Sequence, residues 1–374
     1  MVGGRPDNDA DAASGVHSPP HAAISRRSAI AATAMAPLLA SASPARTGLQ
    51  DSAGRADMLF GAAIRSAVLT ADAAFRGAVV RECGVITPEL EMKWAWLESA
   101  PETYHFYDAD RITAFARASG KTIHGHALLW HQSVAPWLAQ ALRDDADWAI
   151  VRRFITAVMP RYADVTRTWD VINEPIDIGH RADGLRETPF LAAFGPDYIR
   201  RALETARSVA PAARLFINEY DLDYDLPVQR DKRYLLLKLL ERLKREGVPL
   251  DGIGLQAHLD QRAQAHFNPR ILADFLNDVG ALGLEIRISE LDVKEIDLAA
   301  PTVIRDRHVA RVIASYLDVA LDNRAVGSVT CWGLSNRYSW LGDTRSLPLD
   351  RHMRRTAVHD AIAAAFARRK VNRA

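Results

Sequence analysis

The chain lacks the features that would place it in several large classes. Its 374 residues include only two cysteines, Cys83 and Cys331, too few for a disulfide framework, and neither stands in a CxxC or other metal-ligand spacing. Both are read as buried thiols. Neither sign of charge is in excess: 47 Lys and Arg face 46 Asp and Glu, a formal net charge of +1. With no basic stripe to neutralise phosphates, nucleic acid is not expected as a partner. No apolar run is long enough to cross a bilayer, which excludes a membrane span. What the chain does have is 48% hydrophobic residues, sufficient for a large core in a length that barrel folds commonly devote to one domain.

Residues 1–50 differ from the rest. They are rich in Ala, Ser, Pro and Asp until Ser25-Arg26-Arg27-Ser28 introduces an apolar stretch from Ala29 to Ala40, closed by the small residues Ala40-Ser41-Ala42. Arginine pair, short apolar run and small-residue site, in that order, read as a twin-arginine-type export signal in a disordered leader. The protein is thus expected to be exported, periplasmic or secreted, with its folded domain over residues 55–370.

From about Leu59 onward, short β-branched or apolar runs alternate with longer segments whose apolar residues recur every three or four positions. Eight runs are present: Leu59–Ile64, Gly84–Thr87, Thr122–Leu128, Thr168–Ile172, Arg214–Asn218, Gly252–Gln256, Glu285–Ser289 and Gly327–Cys331. Helical patterns between them include Pro196–Val209, Val228–Glu246 and Val303–Leu321. Eight βα repeats predict an α/β fold of one class, a single (β/α)8 TIM barrel.

In such barrels chemistry gathers at the carboxyl ends of the strands, and every run after the first leads into polar or aromatic residues. They are Glu89 and Lys93, then His126, Trp130 and His131, then Asn173-Glu174, Asn218-Glu219, Gln256 and His258, Glu290 and Asp292, and Trp332. Two of these, Glu174 and Glu290, end apolar β-type runs far apart in sequence, so the barrel would bring them to one rim. Glycosidic cleavage needs such a pair: one carboxyl protonates the departing oxygen while the other, ionised, attacks or stabilises the anomeric carbon.

Six segments carry a more specific likeness. They are Thr87 to Trp94, Gly125 to His131, Trp169 to Pro175, Gly254 to His258, Ile288 to Asp292 and Thr330 to Gly333. Together they resemble glycoside hydrolase family ten, the endo-1,4-β-xylanases, in the right order from about Phe60 to Ala365. The resemblance implies a retaining mechanism on xylan or xylo-oligosaccharides, with Glu174 as acid/base, Glu290 as nucleophile and Asn173 on the sugar 2-hydroxyl. It implies that His258, held by Asp292, keeps Glu290 ionised. Glu89, Lys93, His126 and Trp130 would cradle the donor-side sugar, Gln256 would contact it, Trp332 and Trp340 would close the opposite wall, and His131 would support the site. Glu219 repeats the Asn-Glu pairing, but in the family this position shapes the site without transferring a proton.

Two other readings are weighed. A His-x-His on a barrel strand could bind zinc, since His124, His126 and His131 cluster. Yet the fourth and eighth strands offer Asn173-Glu174 and Trp332 where further ligands would be wanted, so no metal or cofactor is expected. A non-catalytic carbohydrate-binding barrel would not need both carboxylates. A monomer is the default state.

Departures from the family pattern touch specificity more than reaction type. Leu90 stands where the family usually has an asparagine that bonds the sugar one unit beyond the cleavage site. His124 stands where arginine is frequent, and Asn336 and Pro175 replace the usual aspartate and alanine.

Overall fold

The computed structural model describes residues 47–373, so the Arg26-Arg27 export signal lies outside the described residues. Eight strands form the centre: β1 (Leu59–Ile64), β2 (Val85–Pro88), β3 (Thr122–Gly125), β4 (Thr166–Asn173), β5 (Arg214–Glu219), β6 (Gly252–Leu255), β7 (Glu285–Lys294) and β8 (Val326–Cys331). Each pairs in parallel with the next, and β8 returns to β1 through Leu59↔Ser328 and Ala62↔Cys331. The sheet is therefore a closed barrel with helices between its strands, the (β/α)8 architecture that the alternating pattern predicts.

The helices form where apolar residues line one face. In Tyr198–Val209 the buried positions are Tyr198, Ile199, Ala202, Leu203 and Ala206, a stripe that packs on the barrel wall. Local chemistry sets several starts. The side chains of Asp72, Thr188 and Asn268 accept N–H groups of the first helical turn at Ala73–Glu82, Pro189–Phe194 and Pro269–Ala281. Each such cap is worth about 1 kcal/mol. Among the described residues no helix is long and apolar enough to cross a membrane.

Strand alternation divides the interior. On β7, Ile286 and Ile288 are fully buried toward the helices, while Arg287 and Ser289 face the barrel axis, where they meet Phe216 and Asn218. The barrel centre is consequently polar as well as apolar, with Thr87, His124, Asp170, Asn218, Ser328 and Thr330 all buried in it.

Every strand but the first differs from its expected limits, the third ending at Gly125 and not at Leu128, and the differences in the sixth and seventh build the rim. The seventh was expected to end near Ser289; instead it continues to Lys294, with register shifts around Ile288 to Leu291. It continues because a short strand, His258–Asp260, pairs with it through His258↔Asp292. Gln256 and His258, two residues apart, are separated by a break at Ala257, whose φ is 56°. That turn releases His258 from β6 and lays it along β7.

Candidate active site

On β4, a register shift between Asp170 and Ile172 changes the alternation, so that Asp170 and Asn173, three residues apart, both face inward. Glu174 follows with φ 56°, a left-handed conformation that costs free energy for a residue with a Cβ. The protein holds it there from both sides. Its N–H donates to the Asn218 carbonyl at 2.8 Å, and its own carbonyl accepts Arg186 Nε at 2.8 Å. Arg186 also donates to Ile176 O and to the Tyr220 hydroxyl.

Glu174 is 8% exposed; its carboxylate has separate partners for its two oxygens. Its Oε1 accepts from Asn173 Nδ2 at 3.2 Å and from Gln256 Nε2 at 3.1 Å. Oε2 has a different neighbour, His131 Nδ1 at 3.8 Å. Burial, followed by the Arg186 charge, lowers the His131 pKa and favours its neutral form.

Glu290 is 4% exposed. Asn218 Nδ2 donates to its Oε1 at 2.7 Å, and His258 Nε2 donates to its Oε2 at 3.1 Å. His258 Nδ1 in turn lies 2.8 Å from Asp292 Oδ1, and Trp340 Nε1 donates to Asp292 Oδ2 at 2.6 Å. Burial opposes a charge on His258, but Asp292 and Glu290 outweigh it and push its pKa up to about 10. Burial would also raise the Glu290 pKa. The His258 hydrogen bond, with the nearby His126 and Lys93, reverses that and leaves it lowered. A carboxylate held ionised between two donors is the result.

The remaining residues singled out by sequence meet around these two. Lys93 Nζ lies 4.4 Å from the Trp130 ring centroid and 5.7 Å from that of Trp332. Its burial lowers its pKa, against the pull of Glu290, Glu89 and Glu174. His126 sits between Trp332 and Trp130, at 5.2 and 6.5 Å between centroids, and Trp340 lies 5.3 Å from His258. Trp130 also stands edge-on to His131. Glu89 joins the group from the end of β2, its Oε1 3.0 Å from Arg65 Nε. Other tryptophans serve packing: Trp94 stacks on Phe154 at 4.0 Å, and Trp169 is buried.

Glu219 is engaged elsewhere. Its Oε1 lies 2.8 Å from Lys232 Nζ and its Oε2 accepts the Ile176 N–H at 2.9 Å, both side chains being almost fully buried. It anchors the segment that follows Glu174. The histidine cluster is likewise engaged, with His124 and His126 both bonded to Asp170 and His131 facing Glu174.

Sequence reasoning noted Asn218 only beside Glu219, and passed over Asp170, Arg186 and Lys232. Asp170 was hidden from an alternation count, because the register shift between it and Ile172 turns both Asp170 and Asn173 inward. Asn218 requires a further fact: a Cβ at Gly254 would lie 2.1 Å from Asn218 Oδ1, so the glycine on the neighbouring strand makes its room.

A family model described as glycosyl hydrolase family 10 matches residues 48–365. The chain is 31% identical over 264 residues to a beta-1,4-xylanase of Dictyoglomus thermophilum, covering 68% of this chain and 72% of that protein. It is 31% identical over 284 residues to endo-1,4-beta-xylanase 3 of Hypocrea jecorina, covering 75% of each. Among solved structures, native xylanase 10B from Thermotoga maritima aligns with a TM-score of 0.77 at 26% identity, covering 87% of this chain and 99% of that one. Xylanase 10B from Thermotoga petrophila RKU-1, in complex with xylobiose, aligns with a TM-score of 0.78 at 25% identity and the same coverage.

Proposed function

The chain belongs to glycosyl hydrolase family 10, and from that premise we propose that it hydrolyses internal β-1,4 bonds of xylan with retention of anomeric configuration. Glu290 is the nucleophile and Glu174 the acid/base. The observation that carries this reading is an unbroken line of hydrogen bonds, Glu174–Asn173–Asn218–Glu290, that ties the two carboxylates into one site.

The chemistry follows from how each oxygen is used. Glu174 Oε1 already accepts two N–H donors, so a proton on this carboxyl belongs on Oε2. From there it passes to the leaving glycosidic oxygen as Glu290 attacks the anomeric carbon. In the second half Glu174 takes a proton from water, which displaces Glu290 and releases the sugar with its original configuration. Glu290 can attack because its two donors keep it ionised. The neutral His131 matters too, since a permanent cation beside Oε2 would resist protonation there. Lys93, His126 and Asn173 supply directional contacts for hydroxyls, and Trp130, Trp332 and Trp340 supply apolar faces.

Following the anomer by NMR during cleavage of a xylo-oligosaccharide tests the reading, with the β product expected first. An α product first would remove the glycosyl-enzyme on Glu290. Replacing either glutamate by alanine should cost at least the 10² to 10⁴-fold that general acid–base help alone provides. For location, the twin-arginine-type leader supports export; a fusion of residues 1–50 to a reporter should reach the periplasm or medium, and should fail to when Arg26 and Arg27 become lysine.

A further inference from the structure

The end of β1 carries a cation that the proposed mechanism does not use. Arg65 directly follows the strand, and its backbone stays extended, at φ −102° and ψ 138°. Alternation therefore sets its direction. Ala63 pairs with Thr87 and Ile64 with Pro88 across β1 and β2, and the Glu89 N–H continues the ladder by donating to the Ile64 carbonyl at 3.0 Å. Thr87 is among the residues buried in the barrel centre. Two residues further along each strand, Arg65 and Glu89 project to that same side, at the rim. Their side chains meet there, with Arg65 Nε 3.0 Å from Glu89 Oε1.

This contact engages one edge of the guanidinium. Of its five N–H groups, the one on Nε faces Glu89, and the two terminal nitrogens have no protein partner among the described residues. The Arg65 side chain is 36% exposed and that of Glu89 13%, so the free edge is open while its base is fixed. Nearby acids are committed elsewhere: Glu91 accepts the Ser66 N–H at 2.6 Å, and Asp108 accepts the Ser66 hydroxyl at 2.8 Å. Position 90, next to Glu89, is a leucine and offers no polar group to the sugar one unit beyond the cleavage site.

We propose that Arg65 is a specificity-determining residue: Glu89 fixes its guanidinium at the donor end of the cleft, and the free edge donates to oxygens of the second donor-side sugar, the unit that Leu90 leaves without a hydrogen bond. A planar fork of donors suits two neighbouring sugar oxygens, where a lysine would offer a single point charge. The unit it fits is a neutral one. Glu89 already balances the Arg65 charge, and an acidic substituent brought to the same edge would meet the Glu89 carboxylate as well. The proposal rests on the xylanase reading for the identity of that sugar.

The test compares full-length enzyme on an aryl xylobioside, which fills two donor-side positions, and on an aryl xyloside, which fills one. Arg65→Met should lower the ratio of the two kcat/KM values about threefold to tenfold, the worth of a hydrogen bond at a partly solvated site. An unchanged ratio overturns the proposal. A residue that merely held Glu89 in place would give another pattern, because its effect would vanish once Glu89→Ala had removed the group it positions. Direct contact predicts that Arg65→Met still lowers the ratio, by about twofold or more, in the Glu89→Ala background; loss of the effect there overturns the proposal. A crystal of the wild-type enzyme soaked with xylobiose reads the same contact whether or not any variant folds. An outer-ring oxygen within hydrogen-bond distance of a terminal Arg65 nitrogen is expected, and an edge that faces only water overturns it. Failure of the xylanase reading would look different, as a wild-type enzyme that cleaves neither aryl glycoside.

Discussion

The side-chain amide of Asn218 donates to Glu290 Oε1 at 2.7 Å, and both of its N–H groups and its oxygen are engaged. Its second N–H goes to Asn173 Oδ1 at 2.8 Å, and its oxygen accepts the Ser289 hydroxyl at 2.6 Å. The amide thus fixes the proposed nucleophile and, through Asn173, the residue next to the proposed acid. Asn218→Ala should lower kcat/KM about 10- to 100-fold, since a hydrogen bond to a charged group is worth roughly 1.5–3 kcal/mol. Asn218→Asp should do more, because a second carboxylate beside Glu290 raises its proton affinity. The acid limb of the pH–rate profile should then move to higher pH, which a purely structural defect would not produce.

The pair Glu290 and His258 sets an expected pH window for both activity and stability. Glu290 acts ionised, so the acid limb of kcat/KM should follow its lowered pKa, below the ordinary 4.5. His258→Gln removes the main hydrogen-bonded cation and should shift that limb upward. For stability, His258 rises from 6.5 to about 10 on folding, so its contribution is complete below 6.5 and is lost as pH climbs toward 10. Glu290 is lowered, so its contribution is complete above 4.5 and is lost as pH falls. Tm measured against pH should therefore show the site's contribution fully present between 4.5 and 6.5. A flat profile for the wild type relative to His258→Gln would contradict this.

Lys232 and Glu219 form an ion pair at 2.8 Å with almost no solvent. Removing one partner strands the other, at a cost of about 3–5 kcal/mol. Lys232→Met should show this in urea unfolding. Because Glu219 also accepts the Ile176 N–H behind Glu174, activity of the folded variant should fall as well. Glu219→Gln separates anchoring from proton transfer: it should lower stability, yet leave activity toward aryl glycosides and poor leaving groups reduced by the same factor. A loss confined to poor leaving groups would instead make Glu219 the acid.

Much of this site was legible because strand-end residues announce themselves. Asn173, Glu174 and Glu290 follow apolar runs, and His126, Trp130 and His131 crowd one strand end, so a barrel count alone brings them to one rim. The groups that hold them were not legible in the same way. Lys232 lies on the helix Pro227–Arg245 and reads as one basic residue among several on its face; only the folded path of the segment after Glu174 reveals its partner. Arg186 sits in an irregular loop with no periodicity to place it. The break at Ala257 and the continuation of β7 to Lys294 are tertiary effects, since each segment supplies the other's pairing. A count made on either segment alone therefore stops the sixth strand at Gln256 and the seventh at Ser289.

Leu90 gives the most selective prediction. Its backbone is pinned: the N–H donates to Glu91 Oε2 at 3.2 Å, and its carbonyl accepts the Lys93 N–H at 3.0 Å. Glu91 Oε1 accepts the Ser66 N–H at 2.6 Å, which ties the ends of β1 and β2 together. A new side chain at position 90 would therefore start from an unchanged Cα, beside Glu89 and Lys93 on the donor side of the cleft. Leucine has no group to offer a hydroxyl there. Leu90→Asn supplies both a donor and an acceptor, and one neutral hydrogen bond is worth about 0.5–1.5 kcal/mol, or roughly twofold to tenfold in affinity. KM should fall by that factor for an aryl xylobioside, which places a second sugar beside residue 90, and should not change for an aryl xyloside, which has none. An equal effect on both substrates would mean that position 90 acts through the shape of the loop, because only a direct contact with the second sugar can distinguish the two.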